Sequence, residues 1–238
     1  MKCFLTSSPL LPDRSGVNPA NGFASRLRAS VLTPCKGLFI CSDPDSHEQT
    51  DSFAQAIRES LEALGLRFSE YQVLDGRNAD RAGELVSGAE LIVLAGGHVP
   101  TQNRFFEKIG LRKWMQSFDG VLIGISAGTM NSAEVVYAQP ELEGEATDPG
   151  YRRFLPGLGL TQTMILPHYQ MLKGEVLDGL RVIEDIAYPD SQGRRIYLLV
   201  DGSYLYCEDG RETIFGEAYL LADGKLTQIC REGESVEL

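Results

Sequence analysis

Two short, almost uninterrupted apolar runs constrain the fold more than any other feature of the sequence. They occupy residues 91–95 and 121–125, and neither alternates apolar with polar side chains as a half-exposed strand does. Such runs are typical of central parallel strands that are buried on both faces. Residues 105–118 lie between them and have the helical period expected of the crossover that joins two parallel strands.

The preceding segment repeats this pattern. Residues 38–41 predict a strand, and we expect the helix that follows to begin at Asp51 or Ser52 and to end at Gly65. The apolar side chains of this helix share one face, and they are Phe53, Ile57, Leu61 and Leu64. The alternation of strands with helices predicts an α/β fold with an open, mostly parallel sheet and helices on both faces.

The last third of the chain changes character. After an amphipathic segment at residues 176–187, Asp-Gly turn signals separate short runs with the pattern of strands. These runs are residues 196–200, 204–207, 213–215, 218–221 and 226–229. We expect them to add antiparallel strands to the sheet. Residues 141–156 lack a period and predict a loop that covers a site. The length of 238 residues fits a single domain over residues 1–238.

The acidic composition of the chain bears on which partners it can bind. A formal net charge of -11 argues against nucleic acid or an anionic membrane surface, because both repel an acidic protein. No run approaches the roughly 20 apolar residues that a membrane-spanning helix needs. The five cysteines are scattered without a CxxC pair, which predicts reduced thiols rather than disulfides or a zinc site. Because the N-terminal residues lack the pattern of a secretory signal, we expect a cytoplasmic protein.

Residues 124–128 carry the motif with the clearest chemistry. They read GISAG, a match to GxSxG that lies between a predicted buried strand and a helix-compatible segment. In that context the serine occupies a sharp turn, and its hydroxyl is exposed at the carboxyl end of the sheet. We therefore interpret Ser126 as a candidate nucleophile. The alternative is a plain tight turn in which Ser126 only caps the following helix.

A serine hydroxyl needs a base to take its proton, and His168 is the best-placed histidine. It follows a short apolar run at residues 164–166, so it lies at a predicted strand end, whereas His47 and His98 precede the serine. A lone histidine is also commonly a surface residue or a satisfied core residue. The order of the residues nevertheless favours His168 as the base.

The base needs an acid that orients it and stabilises the imidazolium. Asp201 follows the run at residues 196–200 and is a candidate, although its Asp-Gly pair also fits a simple turn. Other candidates for the acid are Glu134, Glu141 and Asp148.

An oxyanion hole needs two backbone N–H groups aimed at one point. The N–H of Ala127 follows the candidate nucleophile at a helix start and supplies one. The second is expected from the glycines after the strand at residues 91–95, where Gly97 lets the backbone approach a substrate closely. The alternative for these glycines is a flexible turn.

Four segments together resemble the peptidase E family of serine peptidases, which includes aspartyl dipeptidases and the related cyanophycinases. They are residues 91–97 (LIVLAGG), 124–128 (GISAG), 166–169 (LPHY) and 199–203 (LVDGS). The resemblance implies an open three-layer α/β fold of the flavodoxin-like kind, related to class I glutamine amidotransferases. It also implies a serine-histidine-acid triad that uses no metal and no cofactor.

By this resemblance, Ser126 is the nucleophile, His168 is the base, and Gly97 and Ala127 supply the oxyanion hole. Asp201 lies where aspartyl dipeptidases have a triad glutamate. The chain departs from the family at positions that contact the substrate. In particular, Val176 and Leu177 stand where aspartyl dipeptidases carry an arginine, so the resemblance does not extend to aspartyl specificity. The residues expected to line the substrate pocket are His98, Gln102 and Asn131.

The sequence thus leads to one preferred hypothesis and two alternatives. The preferred hypothesis is a peptidase, either an exopeptidase or a dipeptidase, that cleaves short peptides or isopeptides through an acyl-enzyme on Ser126. The first alternative is an esterase or acyl hydrolase that uses the same serine. The second is a catalytically silent binding protein with an amidotransferase-like fold, in which Ser126 is far from His168. The expected partner is a short peptide, and a homodimer is compatible with the resemblance.

Overall fold

The computed structural model describes residues 1–13 and 15–238. In chain order the strands are β1 (Lys2–Thr6), β2 (Cys35–Ile40), β3 (Phe68–Leu74), β4 (Leu91–Leu94), β5 (Val121–Ile125), β6 (Val135–Tyr137), β7 (Phe154–Pro156), β8 (Met164–Leu166), β9 (Val176–Leu177), β10 (Leu180–Arg181), β11 (Arg195–Leu199), β12 (Tyr204–Glu208), β13 (Arg211–Phe215), β14 (Ala218–Ala222), β15 (Lys225–Cys230) and β16 (Ser235–Glu237). The helices are α1 (Phe23–Ser30), α2 (His47–Ala63), α3 (Ala82–Gly88), α4 (Val99–Lys108), α5 (Leu111–Met115), α6 (Ala127–Asn131), α7 (Tyr169–Leu172) and α8 (Tyr188–Asp190). Short 3₁₀ turns at Ala20–Gly22 and Gly76–Arg81 and a π-helix at Val182–Ala187 complete the elements.

The large sheet contains eight strands of the described chain in the order β16-β13-β12-β1-β5-β4-β2-β3. Five neighbouring strands of this sheet run parallel to one another, namely β1, β5, β4, β2 and β3. On the other side of β1, the sheet continues through antiparallel β12, β13 and β16. The expectation of an open, mostly parallel α/β sheet is confirmed. The sheet's carboxyl edge therefore collects the loops that follow β1, β2, β4 and β5.

Successive side chains of the central strands enter two separate buried layers. On β2, Leu38 and Ile40 pack into one layer and Phe39 packs into the other, as the period of two of a strand requires. Helices α3, α4 and α5 cover the first layer, and α1 and α2 cover the second. This gives the predicted three-layer arrangement. Within the described ranges 1–13 and 15–238, no helix combines the length and apolar character needed to cross a bilayer.

The expectation that the C-terminal strands all extend the one sheet is wrong. Strands β12 and β13 join the large sheet, but β11, β14 and β15 form a smaller sheet with β8, in the order β15-β14-β11-β8. The chain passes from the small to the large sheet at Gly202 and returns at Gly216, with φ values of 89° and 96°. This left-handed backbone favours glycine and lets the chain turn sharply between the two sheets. Strand β1, which the sequence analysis did not predict, lies at the centre of the large sheet.

Two predicted helices differ from the structure in their bounds, and the amphipathic segment at residues 176–187 is not one continuous element. Helix α2 begins at His47, one turn before the expected start, because the buried side chain of Thr50 extends its inner face. The crossover expected at residues 105–118 starts earlier and is divided at Gly110, whose φ of 63° ends one helix and starts the next. The amphipathic segment at residues 176–187 forms the β9–β10 hairpin and then the π-helix, because Asp178 and Gly179 both have positive φ and turn the chain.

Candidate active site

Ser126 occupies the turn between β5 and α6 in strained backbone. Its φ of 50° and ψ of -108° are values that residues other than glycine rarely adopt. Small neighbours make this turn as tight as the GxSxG motif predicts. A Cβ on Gly128 would lie 2.5 Å from the carbonyl oxygen of Leu94, so helix α6 packs directly on the β4 backbone. The Ser126 N–H donates to the Thr6 carbonyl at 3.2 Å, which ties the turn to β1.

His168 bridges the serine hydroxyl and a carboxylate. Its Nε2 lies 2.9 Å from Ser126 Oγ, and its Nδ1 lies 2.7 Å from Asp201 Oδ1. His168 follows β8 and Asp201 follows β11; because these strands are parallel neighbours, their carboxyl ends place the two side chains together. With the Nδ1 proton donated to Asp201, Nε2 is free to accept the hydroxyl proton of Ser126. This arrangement can generate a nucleophilic serine oxygen.

The electrostatics of Asp201 suit this arrangement. Burial raises the pKa of Asp201, but hydrogen bonds from His168 and Ser7 lower it by more, so the pKa lies below its ordinary value. The carboxylate therefore stays ionised at neutral pH. An ionised Asp201 fixes the proton of the imidazole on Nδ1 and stabilises the positive charge that the ring acquires when it takes a second proton.

The two backbone N–H groups predicted to form an oxyanion hole belong to Ala127, which follows Ser126, and to Gly97 in the glycine loop. Within residues 1–13 and 15–238, neither the Gly97 nor the Ala127 N–H donates to another protein group. A Cβ on Gly96 would lie 3.4 Å from the Ser126 Cβ, which places the glycine loop directly against the serine. Gly97 has φ of 155°, and a Cβ there would overlap the side chain of Ser42. Free donors in this position suit an oxyanion, which is the use that the sequence predicts for them.

His98, one of the three predicted substrate contacts, lies beside this loop. Its Nδ1 is 2.8 Å from Thr101 Oγ1, and its Nε2 is 2.9 Å from Glu145 Oε1. Glu145 belongs to the predicted covering loop at residues 141–156, which is corrected at its end because residues 154–156 form β7 and pair with β6. The loop before β7 rests against the residue that follows Gly97. The loop is also held from its other side, because Asp178 accepts hydrogen bonds from the backbone of residues 144 and 146.

The other two predicted substrate contacts are buried supports. Gln102 and Asn131 have no exposed surface. The Asn131 side-chain amide donates to Gln102 Oε1 at 3.0 Å, and Gln102 donates to the Ala95 carbonyl at 2.8 Å. Both side chains therefore brace the backbone that leads into the glycine loop. The prediction that they contact substrate is corrected, because their polar atoms bind the protein instead.

The competing acids lie elsewhere. Glu134 pairs with Arg112, its Oε2 lying 2.6 Å from Arg112 Nη2. Asp148 accepts the N–H of Gly150 within its own turn at 2.8 Å. Glu141 makes no side-chain hydrogen bond to His168 in the described chain, whereas Asp201 does. Of these four acids, only Asp201 lies within hydrogen-bonding distance of the His168 ring in the described part of the chain.

Sequence reasoning missed Ser7, which follows β1 and contacts both partners of the serine. Its Oγ lies 2.6 Å from Asp201 Oδ1 and accepts the His168 N–H at 2.8 Å. No motif surrounds Ser7, and the strand before it was not predicted. The only sequence signal available was the short apolar run at residues 3–5, which ends in Thr-Ser-Ser.

Comparison with known proteins fits this geometry. The model of peptidase family S51 matches residues 36–215 of the chain. The chain belongs to peptidase family S51. Among solved structures, this S51 member is similar to the crystal structure of a candidate peptidase E protein from Listeria monocytogenes EGD-e, with a TM-score of 0.58 and 14% identity. The similarity covers 96% of this chain and 98% of the other, and at this identity it concerns the fold. A search of curated proteins found no match. The family predicted from the four motifs is confirmed.

Proposed function

We propose that this S51 member is a serine peptidase that hydrolyses short peptides or isopeptides through an acyl-enzyme on Ser126. One observation carries the proposal: the unbroken hydrogen-bonded line from Ser126 Oγ through His168 to Asp201, with distances of 2.9 and 2.7 Å. A base within hydrogen-bonding reach activates a serine for attack on an amide at neutral pH, and a serine that only caps a helix needs no such base.

Acylation starts when Ser126 Oγ attacks the carbonyl carbon of the scissile bond. The hydroxyl proton passes to His168 Nε2, and the carbonyl oxygen becomes an oxyanion that the Gly97 and Ala127 N–H groups bind. The carbon–nitrogen bond then breaks, and His168 gives its proton to the departing amine. The products of this half-reaction are the free amine and an ester on Ser126.

Deacylation repeats these steps with water as the nucleophile. His168 Nε2 takes a proton from water, the resulting hydroxide attacks the ester carbon, and the oxyanion occupies the same two N–H groups. The carbon–oxygen bond to Ser126 breaks, and the proton on His168 returns to the serine oxygen. Asp201 stays ionised throughout and stabilises the imidazolium that forms in each half-reaction.

The loop at residues 141–153, before β7, supports a preference for short substrates and hence exopeptidase or dipeptidase action. Glu145 holds the loop against His98, and Asp178 holds it from the β9–β10 turn. These contacts hold the loop beside the glycine loop that flanks Ser126. We expect a loop held there to hinder a folded protein or a long chain more than a dipeptide.

Labelling with a fluorophosphonate tests the proposal. The serine oxygen displaces fluoride from phosphorus and passes its proton to the base, so labelling reports an activated serine without a known substrate. We expect the wild type to be labelled and Ser126→Ala and His168→Ala to be unlabelled. Ser191→Ala is the control, because this buried hydroxyl contacts Tyr188 and Gly224 rather than the site. A folded wild type that resists labelling would contradict the proposal.

A second assay separates the preferred activity from the esterase alternative. A small dipeptide library is compared with p-nitrophenyl esters, and we expect cleavage of dipeptides that Ser126→Ala abolishes. Turnover of esters without cleavage of any dipeptide would favour the esterase. The silent binding protein is already disfavoured, since it required a serine far from His168 and the two side chains lie 2.9 Å apart.

A further inference from the structure

Ser7 lies at the junction between the two sheets. It follows β1 in the large sheet and has no exposed surface. Its N–H donates to the Ser203 carbonyl at 3.1 Å, and the Gly202 N–H donates to the Ser8 carbonyl at 3.2 Å. The segment after β1 is therefore bonded to the segment that follows Asp201. Ser7 also lies outside the residues that the S51 model matches.

The hydroxyl of Ser7 contacts the base and the acid together. It accepts the backbone N–H of His168 at 2.8 Å, which leaves its own proton free to be donated. The nearest acceptor is Asp201 Oδ1 at 2.6 Å; the Leu199 carbonyl is a more distant alternative at 3.4 Å. Asp201 Oδ1 is the same oxygen that lies 2.7 Å from His168 Nδ1. Asp201 Oδ1 thus accepts one hydrogen bond from Ser7 Oγ and another from His168 Nδ1.

We infer that Ser7 is a positioning residue that holds His168 and Asp201 in register with Ser126; the inference rests on the proposed function. The physical reason is the division of the site between two sheets. Ser126 follows β5 in the large sheet, whereas His168 and Asp201 follow strands of the small sheet. The Thr6 carbonyl fixes the Ser126 N–H, and the next side chain, Ser7, fixes the other two residues.

His168 depends on its hydrogen bond to Ser7 because its backbone has an unusual positive φ. Its φ of 60° is unusual for a residue with a side chain and is kept only where the surroundings fix it. The His168 N–H has Ser7 Oγ as its acceptor, so loss of the hydroxyl leaves this part-buried N–H without its partner. The ring would then be free to rotate away from Ser126, and Asp201 would lose the donor on its inner side.

The test uses Ser7→Ala, with Ser191→Ala as a matched control. Ser191 is equally buried, and its hydroxyl likewise donates one hydrogen bond and accepts one from an N–H, but its partners are the Tyr188 carbonyl and the Gly224 N–H. The rate of fluorophosphonate labelling is measured as a function of probe concentration. We expect Ser7→Ala to lower the maximal rate about 10- to 100-fold, the usual effect of a hydrogen bond to a charged group, with the half-saturating concentration unchanged. We expect Ser191→Ala to label at the wild-type rate.

Two further measurements distinguish positioning from a purely structural role. The far-downfield proton resonance of His168 Nδ1–H should shift or broaden in Ser7→Ala and stay in place in Ser191→Ala. Ser7→Cys keeps a weaker donor of similar shape, and we expect its labelling rate to fall between wild type and Ser7→Ala. It also provides a folded variant if Ser7→Ala does not fold.

The results separate this inference from the proposed function. Failure to label the wild type would overturn the proposed function itself. Normal labelling of the wild type, together with a folded Ser7→Ala that labels at the same maximal rate and keeps the resonance, would overturn the role of Ser7 alone. If only Ser7→Cys folds, a wild-type rate and resonance in that variant would overturn the role equally.

Discussion

Gly128→Ala tests how closely helix α6 must pack on β4. Alanine favours helix over glycine by roughly 1 kcal/mol, and Gly128 is not in a left-handed conformation, so propensity alone predicts stabilisation. The structure predicts the opposite. The new Cβ would lie 2.5 Å from the carbonyl oxygen and 2.6 Å from the Cβ of Leu94, whereas ordinary contacts begin near 3.4 Å. Helix α6 would have to move by about 0.9 Å, since the β4 backbone is held in the sheet.

That displacement of helix α6 should lower both the stability of the protein and the rate of labelling. Overpacking against backbone costs up to about 3 kcal/mol, and the helix gain of roughly 1 kcal/mol leaves a net loss of about 2 kcal/mol. For a chain of this size, that lowers Tm by roughly 4–8 °C. The Ala127 N–H would move with the helix, and a misplacement of about 1 Å at an oxyanion donor lowers the rate about 100-fold.

The assays are thermal unfolding and the rate of fluorophosphonate labelling. Gly88→Ala is the matched control, because Gly88 ends helix α3 and a Cβ there would meet nothing within 4 Å. We expect Gly88→Ala to have the same or a slightly higher Tm and a wild-type labelling rate. If Gly128→Ala shows an unchanged Tm and an unchanged labelling rate, the reasoning from the Leu94 contact is refuted, because the unfolding measurement does not depend on the proposed function.

Three other predictions follow from the site. Asp201→Asn should lower the labelling rate about 10⁴-fold with little change in fold, because an amide does not hold the imidazole proton on Nδ1 as a carboxylate does; equal rates would contradict this role. The folded state lowers the pKa of Asp201, so its ionisation contributes stability above the unfolded pKa that is lost as pH falls through the folded pKa. The difference in Tm between wild type and Asp201→Asn should therefore stay constant above about pH 5 and shrink as pH falls from there through the lower pKa of the folded state, and a difference that stays constant over that fall would contradict the sign. Asn131→Ala should lower stability by about 2–4 kcal/mol, measured by urea unfolding, because Gln102 Oε1 loses its donor in a fully buried site; a loss below about 1 kcal/mol would contradict the bracing role.

Features with a local cause were predictable from the sequence. Runs 91–95 and 121–125 became central strands because apolar side chains on both faces require burial on both faces. The GISAG turn was predictable because a strained serine between small residues has few alternatives. His168 and Asp201 were found because each directly follows a strand-like run. In each case, the residues that carry the signal are adjacent in sequence.

Features that depend on distant contacts were not predictable. Gln102 and Asn131 look like pocket residues from their positions after the glycine loop and the GISAG turn, and only tertiary packing turns their amides toward each other. The split of the C-terminal strands between two sheets depends on which partner each strand finds. Gly202 and Gly216 mark the crossings, but their sequence signal is that of any tight turn.

The division of the site between two sheets explains why residues remote from substrate should control the rate. The Ser126 turn is fixed to the large sheet through the Thr6 carbonyl, and His168 and Asp201 follow β8 and β11 of the small sheet. The 2.9 Å distance between Ser126 and His168 therefore joins residues of two sheets that share one buried core. A relative displacement of the two sheets by about 1 Å at this edge would lengthen that contact. Contacts across the junction, above all those of Ser7, set the geometry that the chemistry needs.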